Sequence, residues 1–432
     1  MKNPLRKRLL RELKSEFGKY LVIFLLLAGT ISLVSGFLVA DGSLLIAYNE
    51  GFERYNIEDG NFRLGEKANK AQLKSIRDLG VTVYDLFYAE EALTNGSTLR
   101  IYPNREQVDL VCLMQGAMPT SADEIAIDRM YADNNSLTIG DTLESGARSW
   151  TVTGLVALPD YSCLFRDNND SMFDAVKFGV AIVTPEMFED FSKDELYWNY
   201  AWKYDVKPAE GKPEQDAAED LMQGILNEAE LENFIPTYQN QAIQFTGDDM
   251  GGDKAMMVIL LYIVILIMAF VFGITTSNPI SKEANVIGTL RASGYTKNEL
   301  IRHYMTMPTI VTLTSALIGN ILGYTSLKEV CAGMYYGSYS LPTYVTVWNA
   351  EAFLETTVVP VILMMVVNYL VLRRKLSLSP LKFLRRDLSR RKQKHAMPLS
   401  PHIPFFTRFR LRVIFQNAGN YLILFIGIIF AN

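Results

Sequence analysis

The feature that most constrains this chain is a set of long stretches without a single charged side chain. From Tyr20 to Ala40 there are 21 such residues, and from Ala255 to Ser281 there are 27 more. A helix needs about 20 apolar residues to cross a bilayer, so each of these runs is long enough. A third run spans Tyr304 to Leu327, and a shorter fourth, Thr356 to Leu372, lies between Glu355 and Arg373. The chain stops inside a fifth, Tyr421 to Asn432, too short to span, so a longer parent protein is expected. A basic segment precedes the first run, as in a secretory signal. The run nevertheless exceeds the roughly 7–15 residues of a signal core and no A-x-A site follows it, so a retained helix is expected.

Charge then orients the helices. Residues 2–19 carry Lys2, Arg6, Lys7, Arg8, Arg11, Lys14 and Lys19 against Glu12 and Glu16, and residues 373–412 carry 13 Lys/Arg against Asp387 alone. Basic short segments stay in the cytoplasm, which puts both ends inside and an even number of crossings between them. Residues 41–254, by contrast, hold 39 Asp/Glu and 17 Lys/Arg, an excess of 22 negative charges. The expected fold is a multi-pass α-helical membrane protein with a large α+β extracytoplasmic domain inserted between the first and second transmembrane helices.

The expected boundaries follow from these runs. Residues 1–19 form a cytoplasmic amphipathic helix, with Leu5, Leu9, Leu13 and Phe17 on one face. Membrane helices occupy 20–40, 255–277, 304–327 and 356–372. The inserted domain is 41–254, a cytoplasmic loop covers 278–303, an outer loop 328–355 and a basic cytoplasmic linker 373–418. Residues 419–432 open a fifth helix. "NAGNYLILFIGII" from Asn417 echoes "FGKYLVIFLLL" from Phe17, which suggests the start of a second copy of the unit.

Inside the inserted domain, "NKAQLKSIRDLG" reads as a surface helix ending at Gly80, with strands in "VTVYDLFYAEEAL" after it. The segment from Asp123 to Pro159 reads as a strand, a short helix, a Gly-Asp turn and two strands joined across Ser145 and Gly146. "EQDAAEDLMQGILNEAEL" reads as a further amphipathic helix. The outer loop is rich in Tyr and carries Trp348, the usual composition of an interfacial aromatic belt; ligand contact is the alternative. Cys112, Cys163 and Cys331 all fall on the outer side and form no disulfide framework or metal pattern, with a Cys112–Cys163 bridge left open.

The cytoplasmic loop carries the most ordered pattern. Asn278-Pro279 is expected to break the second membrane helix, and a new helix runs from Pro279 to Ser293, stopped by Gly294 in a left-handed conformation. Thr296 and Glu299 then have the spacing of a capping box that opens the third membrane helix. On a helical wheel Ile280, Ala284, Ile287, Leu290 and Arg291 share one side, with Lys282, Asn285 and Thr289 opposite. Gly288 weakens a helix interior by about 1 kcal/mol, which points to a close approach by another surface. Packing under the chain's own membrane helices is the simpler reading of the same face.

"VIGTLRASGYTKNELI" resembles the segment after the second membrane helix of FtsX-like permeases, the MacB type of ATP-binding-cassette transporter. Ile287, Gly288, Leu290, Arg291, Ala292 and Gly294 match the family's "E-I-G-x-L-R-A-x-G" pattern. The family commonly has Glu directly before Ile-Gly, where this chain has Val286, and Glu283 stands one turn earlier. The outer segment "DEIAIDRMYADNNSLTIGDTLESGARSWTVTGLV" is similar to the family's MacB-like core domain. The resemblance implies that the loop helix fits a cleft in a separate cytoplasmic ATPase dimer, whose nucleotide-driven closure is passed through the membrane to the outer domain. It assigns ATPase coupling to Glu283, Ile287, Gly288, Leu290, Arg291 and Gly294. It further implies a bacterial cytoplasmic membrane and a second permease unit in the same full-length chain, or else a homodimer partner. The outer domain would meet a hydrophobic, peptide or lipid-like substrate or an extracytoplasmic partner.

No G-x-x-x-x-G-K-[ST] loop occurs, so ATP and Mg are expected in the partner ATPase and no cofactor in this chain. His303, His395 and His402 form no H-E-x-x-H, and no G-x-S-x-G appears, so no catalytic or metal site is expected. "RDNNDS" at 166–171 lacks the Gly and Glu of a calcium loop and reads as a polar turn. "RRDLSRRKQK" at 385–394 sits just inside the fourth crossing, where it suits anionic lipid rather than nucleic acid. Two other functions fit the same sequence: a non-transporting FtsX-like regulator of a cell-wall hydrolase, and a membrane-anchored sensor or scaffold with no ATPase.

Overall fold

The computed structural model describes residues 11, 13–146, 148–387 and 404–416. The matching segment at 419–432 and most of the N-terminal amphipathic stretch lie outside those residues. Four described helices are long and apolar enough to cross a membrane: Phe17–Arg54, Gln241–Lys282, Lys297–Ser338 and Ala350–Lys375. The chain divides into two compact units, Met1–Ile274 with His303–Leu370, and Thr275–Arg302 with Val371–Asn432.

In the first unit, helix α1 (Phe17–Arg54) outruns the apolar stretch expected at 20–40 by more than three turns, because the chain beyond Asp41 keeps helical spacing and buries Ser43 and Leu44. The inserted domain follows with β1 (Gly60–Leu64), α2 (Lys70–Arg77), β2 (Val81–Asp85), β3 (Tyr88–Ala92), β4 (Thr98–Pro103), β5 (Cys112–Gly116) and β6 (Glu124–Asp128). Next come α3 (Arg129–Asn135), β7 (Thr142–Glu144), β8 (Ser149–Ala157), β9 (Phe178–Val183), α4 (Pro185–Glu189), β10 (Leu196–Tyr204), α5 (Lys212–Glu228) and β11 (Leu231–Pro236). The strands run in the order β11-β1-β10-β3-β4-β9-β6-β8-β5, with β2 on β10 and β7 on β8.

The nine-residue β10 joins two lobes. Its start, Leu196 and Tyr197, pairs with β3 of the larger lobe, and its remainder pairs with β1 and β2 of the smaller one. The small lobe is closed by aromatics: Phe62 stacks on Tyr200 at 5.2 Å and Trp202 on Phe234 at 4.6 Å. Phe62, Tyr200 and Trp202 are fully buried, and a large apolar side chain so placed contributes about 1.5–3 kcal/mol. In the large lobe β9 is buried at every position, as expected for a strand with sheet neighbours on both sides and covered faces.

Local expectations held where a cap or turn fixed them. Asn69 caps α2 with Gln72 as its reciprocal partner, and the chain leaves at Gly80 with φ +91°. "RDNNDS" is a polar turn that anchors the start of the next helix. There the Asn168 side chain donates to the Gln239 carbonyl and accepts from the Gln241 N–H, at 2.9 and 2.8 Å. Cys112, Cys163 and Cys331 are free thiols, all buried.

That next helix, α6 (Gln241–Lys282), starts 14 residues before the expected boundary at 255. The small helix α7 (Ala284–Ala292) follows, then α8 (Lys297–Leu322), a π-turn over Gly323–Leu327, and α9 (Lys328–Ser338). Residues 328–338 are therefore helix rather than loop. Lys328 and Glu329 interrupt the apolar run without interrupting helical spacing, and Cys331, Ala332 and Tyr335 are buried on one face. Two glycines, Gly319 and Gly323, let α8 lie directly on α1. A Cβ at Gly319 would sit 2.8 Å from Ile31 Cγ2, and one at Gly323 would sit 1.9 Å from Ser35 Oγ. Small residues four apart allow this backbone approach in apolar helices.

The inserted domain also grips the end of α9. Arg129, at the start of α3, donates through Nη2 to the carbonyls of Tyr336 and Tyr339, both at 2.7 Å, and Nη1 pairs with Asp133 at 2.7 Å. Beside it the Ser340 hydroxyl donates to the buried Asp128 carboxylate. After an extended segment, α10 (Ala350–Phe353) and a second π-turn lead into α11 (Val359–Lys375). Among the described residues the second unit also holds α12 (Pro380–Leu384) and α13 (Phe405–Gln416).

Candidate coupling loop

Helix α6 does not stop at Asn278-Pro279; it continues to Lys282, and the break falls at Glu283. Proline removes one donor, and apolar helices tolerate that loss; α8 likewise carries Pro308 in its interior. The loop helix is accordingly Ala284–Ala292, shorter than the expected 279–293. Its first turn closes with the Ile287 N–H donating to the Glu283 carbonyl at 3.0 Å.

The far end of α7 is built as the pattern predicts. Gly294 has φ +99°, its N–H donates to the Arg291 carbonyl at 3.3 Å, and the Tyr295 N–H donates to the Leu290 carbonyl at 3.0 Å. These two bonds are the Schellman pair that satisfies a helix C-terminus. The next helix is opened by a reciprocal box: the Thr296 N–H donates to Glu299 Oε2 at 2.8 Å, and the Glu299 N–H to Thr296 Oγ1 at 3.3 Å.

The inward face of α7 is Ala284, Ile287 and Gly288, all buried, with Ile280 buried one turn before it. It packs on α12, a single turn that Ser379 caps and Pro380 begins, with Phe383 fully buried. Gly288 is where the two backbones meet. A Cβ there would stand 2.8 Å from Leu384 Cγ and 3.0 Å from the Leu384 nitrogen. Arg291 completes the joint by donating through Nη1 to the carbonyls of Leu376 and Leu378, at 3.2 and 2.6 Å, where α11 has just ended. A cation at a helix C-terminus is favoured by the dipole and by the orphan carbonyls there.

Of the six residues expected to couple to an ATPase, Ile287, Gly288 and Arg291 thus face this chain's own α11–α12 corner. Glu283 and Leu290 are half-buried, and Gly294 is exposed at the turn. The outward face is Asn285, Val286 and Thr289, with Val286 44% exposed. The Thr289 and Ser293 hydroxyls bond back to the Asn285 and Thr289 carbonyls, at 3.0 and 2.9 Å. That face is therefore small, nearly uncharged and short of free donors, suited to shape-matched docking and not to proton transfer. Among the described residues no group of His, Cys, Asp and Glu is arranged to hold a metal ion. Sequence reasoning missed Leu376, Leu378, Phe383 and Leu384, which it had placed in a basic linker. The signal was Ser379-Pro380, a cap followed by proline at the first helical position.

Four apolar helices, a large domain after the first and a capped helix between the second and third define a multi-pass membrane protein. Residues 258–380 match the family model of the FtsX-like permease C-terminal domain, and this chain carries that domain. The family comprises permease components of ATP-binding-cassette transporters, a non-enzymatic part of those systems. Among solved structures, the crystal structure of the extracellular domain of the noncanonic ABC-type transporter YknZ from Gram-positive bacteria is similar at 14% identity. The match covers 40% of this chain and 100% of that one, with a TM-score of 0.20, too loose to carry an argument. No curated protein matches the chain in sequence.

Proposed function

We propose that the chain is the permease subunit of an ATP-binding-cassette system in a bacterial cytoplasmic membrane. Its N-terminus and α7 lie on the cytoplasmic side, and a separate ATPase, which holds the ATP and Mg, docks on the Asn285–Val286–Thr289 face. The observation that carries this reading is the clasp beneath that face. Gly288 against Leu384 and Arg291 on two carbonyls fix α7 to the end of α11, so a push on α7 is delivered to membrane helices rather than absorbed by a loose loop. The residues of the family pattern that are buried here act as positioning groups, and the exposed Asn285, Val286 and Thr289 on the opposite face form the contact. Through α6 and α8 the movement reaches the inserted domain, which acts on a hydrophobic, peptide or lipid-like substrate or an outer partner.

The test is reconstitution with candidate ABC ATPase subunits from the same genome. Val286→Arg abolishes permease-stimulated ATP hydrolysis while membrane insertion and thermal stability stay unchanged. Recovery of the intact protein in mild detergent with no nucleotide-binding subunit, and no stimulation on adding one, would establish the sensor or scaffold reading instead.

A further inference from the structure

The sheet of the inserted domain is split, and the split leaves backbone edges unpaired. Strands β2 and β3 follow one line along β10: Val81 to Asp85 faces Tyr204 to Tyr200, and Tyr88 and Ala89 face Tyr197 and Leu196. The Asp205 N–H donates to the Gly80 carbonyl and the Leu86 N–H to the Asn199 carbonyl, both at 3.0 Å. In an antiparallel pair such bonds fall on every second residue. Residues 80, 82, 84 and 86 are therefore turned toward β10, and the N–H and C=O groups of Val81, Val83, Asp85 and Phe87 point to the other side.

On that other side β4 pairs with β3 as far as Ala89 and Ile101. The same ladder bonds the Leu93 N–H to the Ser97 carbonyl at 2.8 Å, so the next bonded pair in register would be Phe87 with Pro103. Proline has no N–H to give, and among the described residues no backbone bond joins the two. The Asn104 N–H turns to the Val183 carbonyl at 3.1 Å, so this edge stays with β9 and parts from β2. A cavity of about 540 Å³ opens between the parted edges, lined by consecutive residues on both sides, 83–87 and 102–108. Val83, Leu86 and Val108 are buried in its lining, whereas Asp85, Asn104 and Glu106 are exposed. The Val83 carbonyl already accepts from Arg77 Nη2 at 3.2 Å; the groups of Asp85 and Phe87 on this side have no backbone partner among the described residues. An open strand edge is a template for a further strand. Five residues of strand extend about 16 Å, so the cleft takes a short segment and not a folded domain.

We propose that this cleft binds an extended peptide segment of an extracytoplasmic partner by strand addition. The N–H and C=O groups of Asp85 and Phe87 pair with its main chain, and Val83, Leu86 and Val108 meet its alternate apolar side chains. Main-chain bonds supply affinity in this mode and side-chain pockets supply selectivity, so the ligand must keep its own N–H groups free. The proposal gives the inserted domain an occupant without reference to α7. Its test contains no ATPase, so failure of either reading leaves the other standing.

The experiment uses the full chain in detergent. The probe is the capped hexapeptide Ac-VTVTVK-NH2, read by the fluorescence anisotropy of a labelled copy and by amide hydrogen exchange over residues 83–87. Saturable binding is expected, with exchange at Asp85 and Phe87 slowed roughly fivefold or more. N-methylation of alternate probe amides removes the donors of one edge and keeps every side chain; it should weaken binding about tenfold or more. Asp85→Pro should do the same, because the N–H it removes lies on the free edge and the ladder with β10 is untouched. Should that variant not fold, the N-methylated probes and the exchange of the unmodified protein decide. No binding, equal binding of the N-methylated probes, unchanged exchange over residues 83–87, or equal binding by folded Asp85→Pro overturns the proposal. So does protection of these amides that rises with protein concentration in the absence of peptide, which would give the cleft to a second copy of the chain.

Discussion

Arg129 and Arg291 stand in different units and make the same joint. Each uses one guanidinium nitrogen to donate to two carbonyls just where a long helix has ended, at Tyr336 and Tyr339 in one case and Leu376 and Leu378 in the other. The difference lies in what surrounds the arginine. Arg129 is also paired with Asp133 and sits beside the buried Asp128–Ser340 contact, so side chains hold that joint. Arg291 is backed by Gly288, whose missing side chain lets Leu384 come within contact of the backbone. One joint depends on a polar network and the other on an absence of volume, so they should fail differently.

The largest effect is expected at Gly288. Gly288→Leu has no room beside Leu384, so α7 must leave α12; stimulated ATPase activity falls by more than tenfold while the inserted domain keeps its circular dichroism. Arg129→Met comes next. It removes two charge-assisted hydrogen bonds, on the order of 1.5–3 kcal/mol each, and should lower the thermal stability of the purified protein without preventing ATPase binding. Arg291→Met should cost less, because it loses no ion pair of the kind Arg129 makes with Asp133, and Arg291→Lys should recover part of the loss. A single nitrogen serves both carbonyls, and an ammonium has enough donors for that. Loss of stability as large in Arg291→Met as in Arg129→Met would break the comparison.

The smallest effect is a pH dependence that, of the two joints, belongs to the Arg129 joint. Burial pushes the Asp128 carboxyl up to about 6, against the lowering influence of Ser340, the Tyr131 N–H and Arg129. A carboxyl raised above its unfolded value of about 3.9 favours the fold when protonated. That contribution is complete below about pH 4 and is lost as pH rises through about 6. Asp128→Asn should lessen the slope of the stability profile between pH 4 and 6, to which the raised Asp41 and Asp109 carboxyls also contribute, as read by thermal unfolding, and Arg291 variants should leave that slope unchanged.

How much of this was legible follows from which forces are local. The four spans, Gly294, the Thr296–Glu299 box and the Asn69 and Gly80 ends of α2 are set by neighbours a few residues away, and all could be read. So could the apolar face of α7, since spacing alone fixes it. What lies on that face could not be read, because Leu384 is 96 residues from Gly288 in the chain. The pairing of β10 with strands of both lobes is equally non-local. Gly319 and Gly323 were visible as a spacing and went unread. Their meaning depends on α1, nearly 300 residues earlier.

The π-turn at Gly323–Leu327 sets the phase of the helix that Arg129 holds. A π-turn takes one residue more than an α-turn, and one residue is about 100° of helical rotation. Everything beyond it, including Tyr335, whose hydroxyl lies 3.2 Å from carboxylate oxygens of both Asp41 and Asp253, is aimed by that single extra residue. The segment works as a vernier. The Gly319 contact with α1 stays fixed below it, while one added or removed peptide unit swings the face above it by more than a quarter turn.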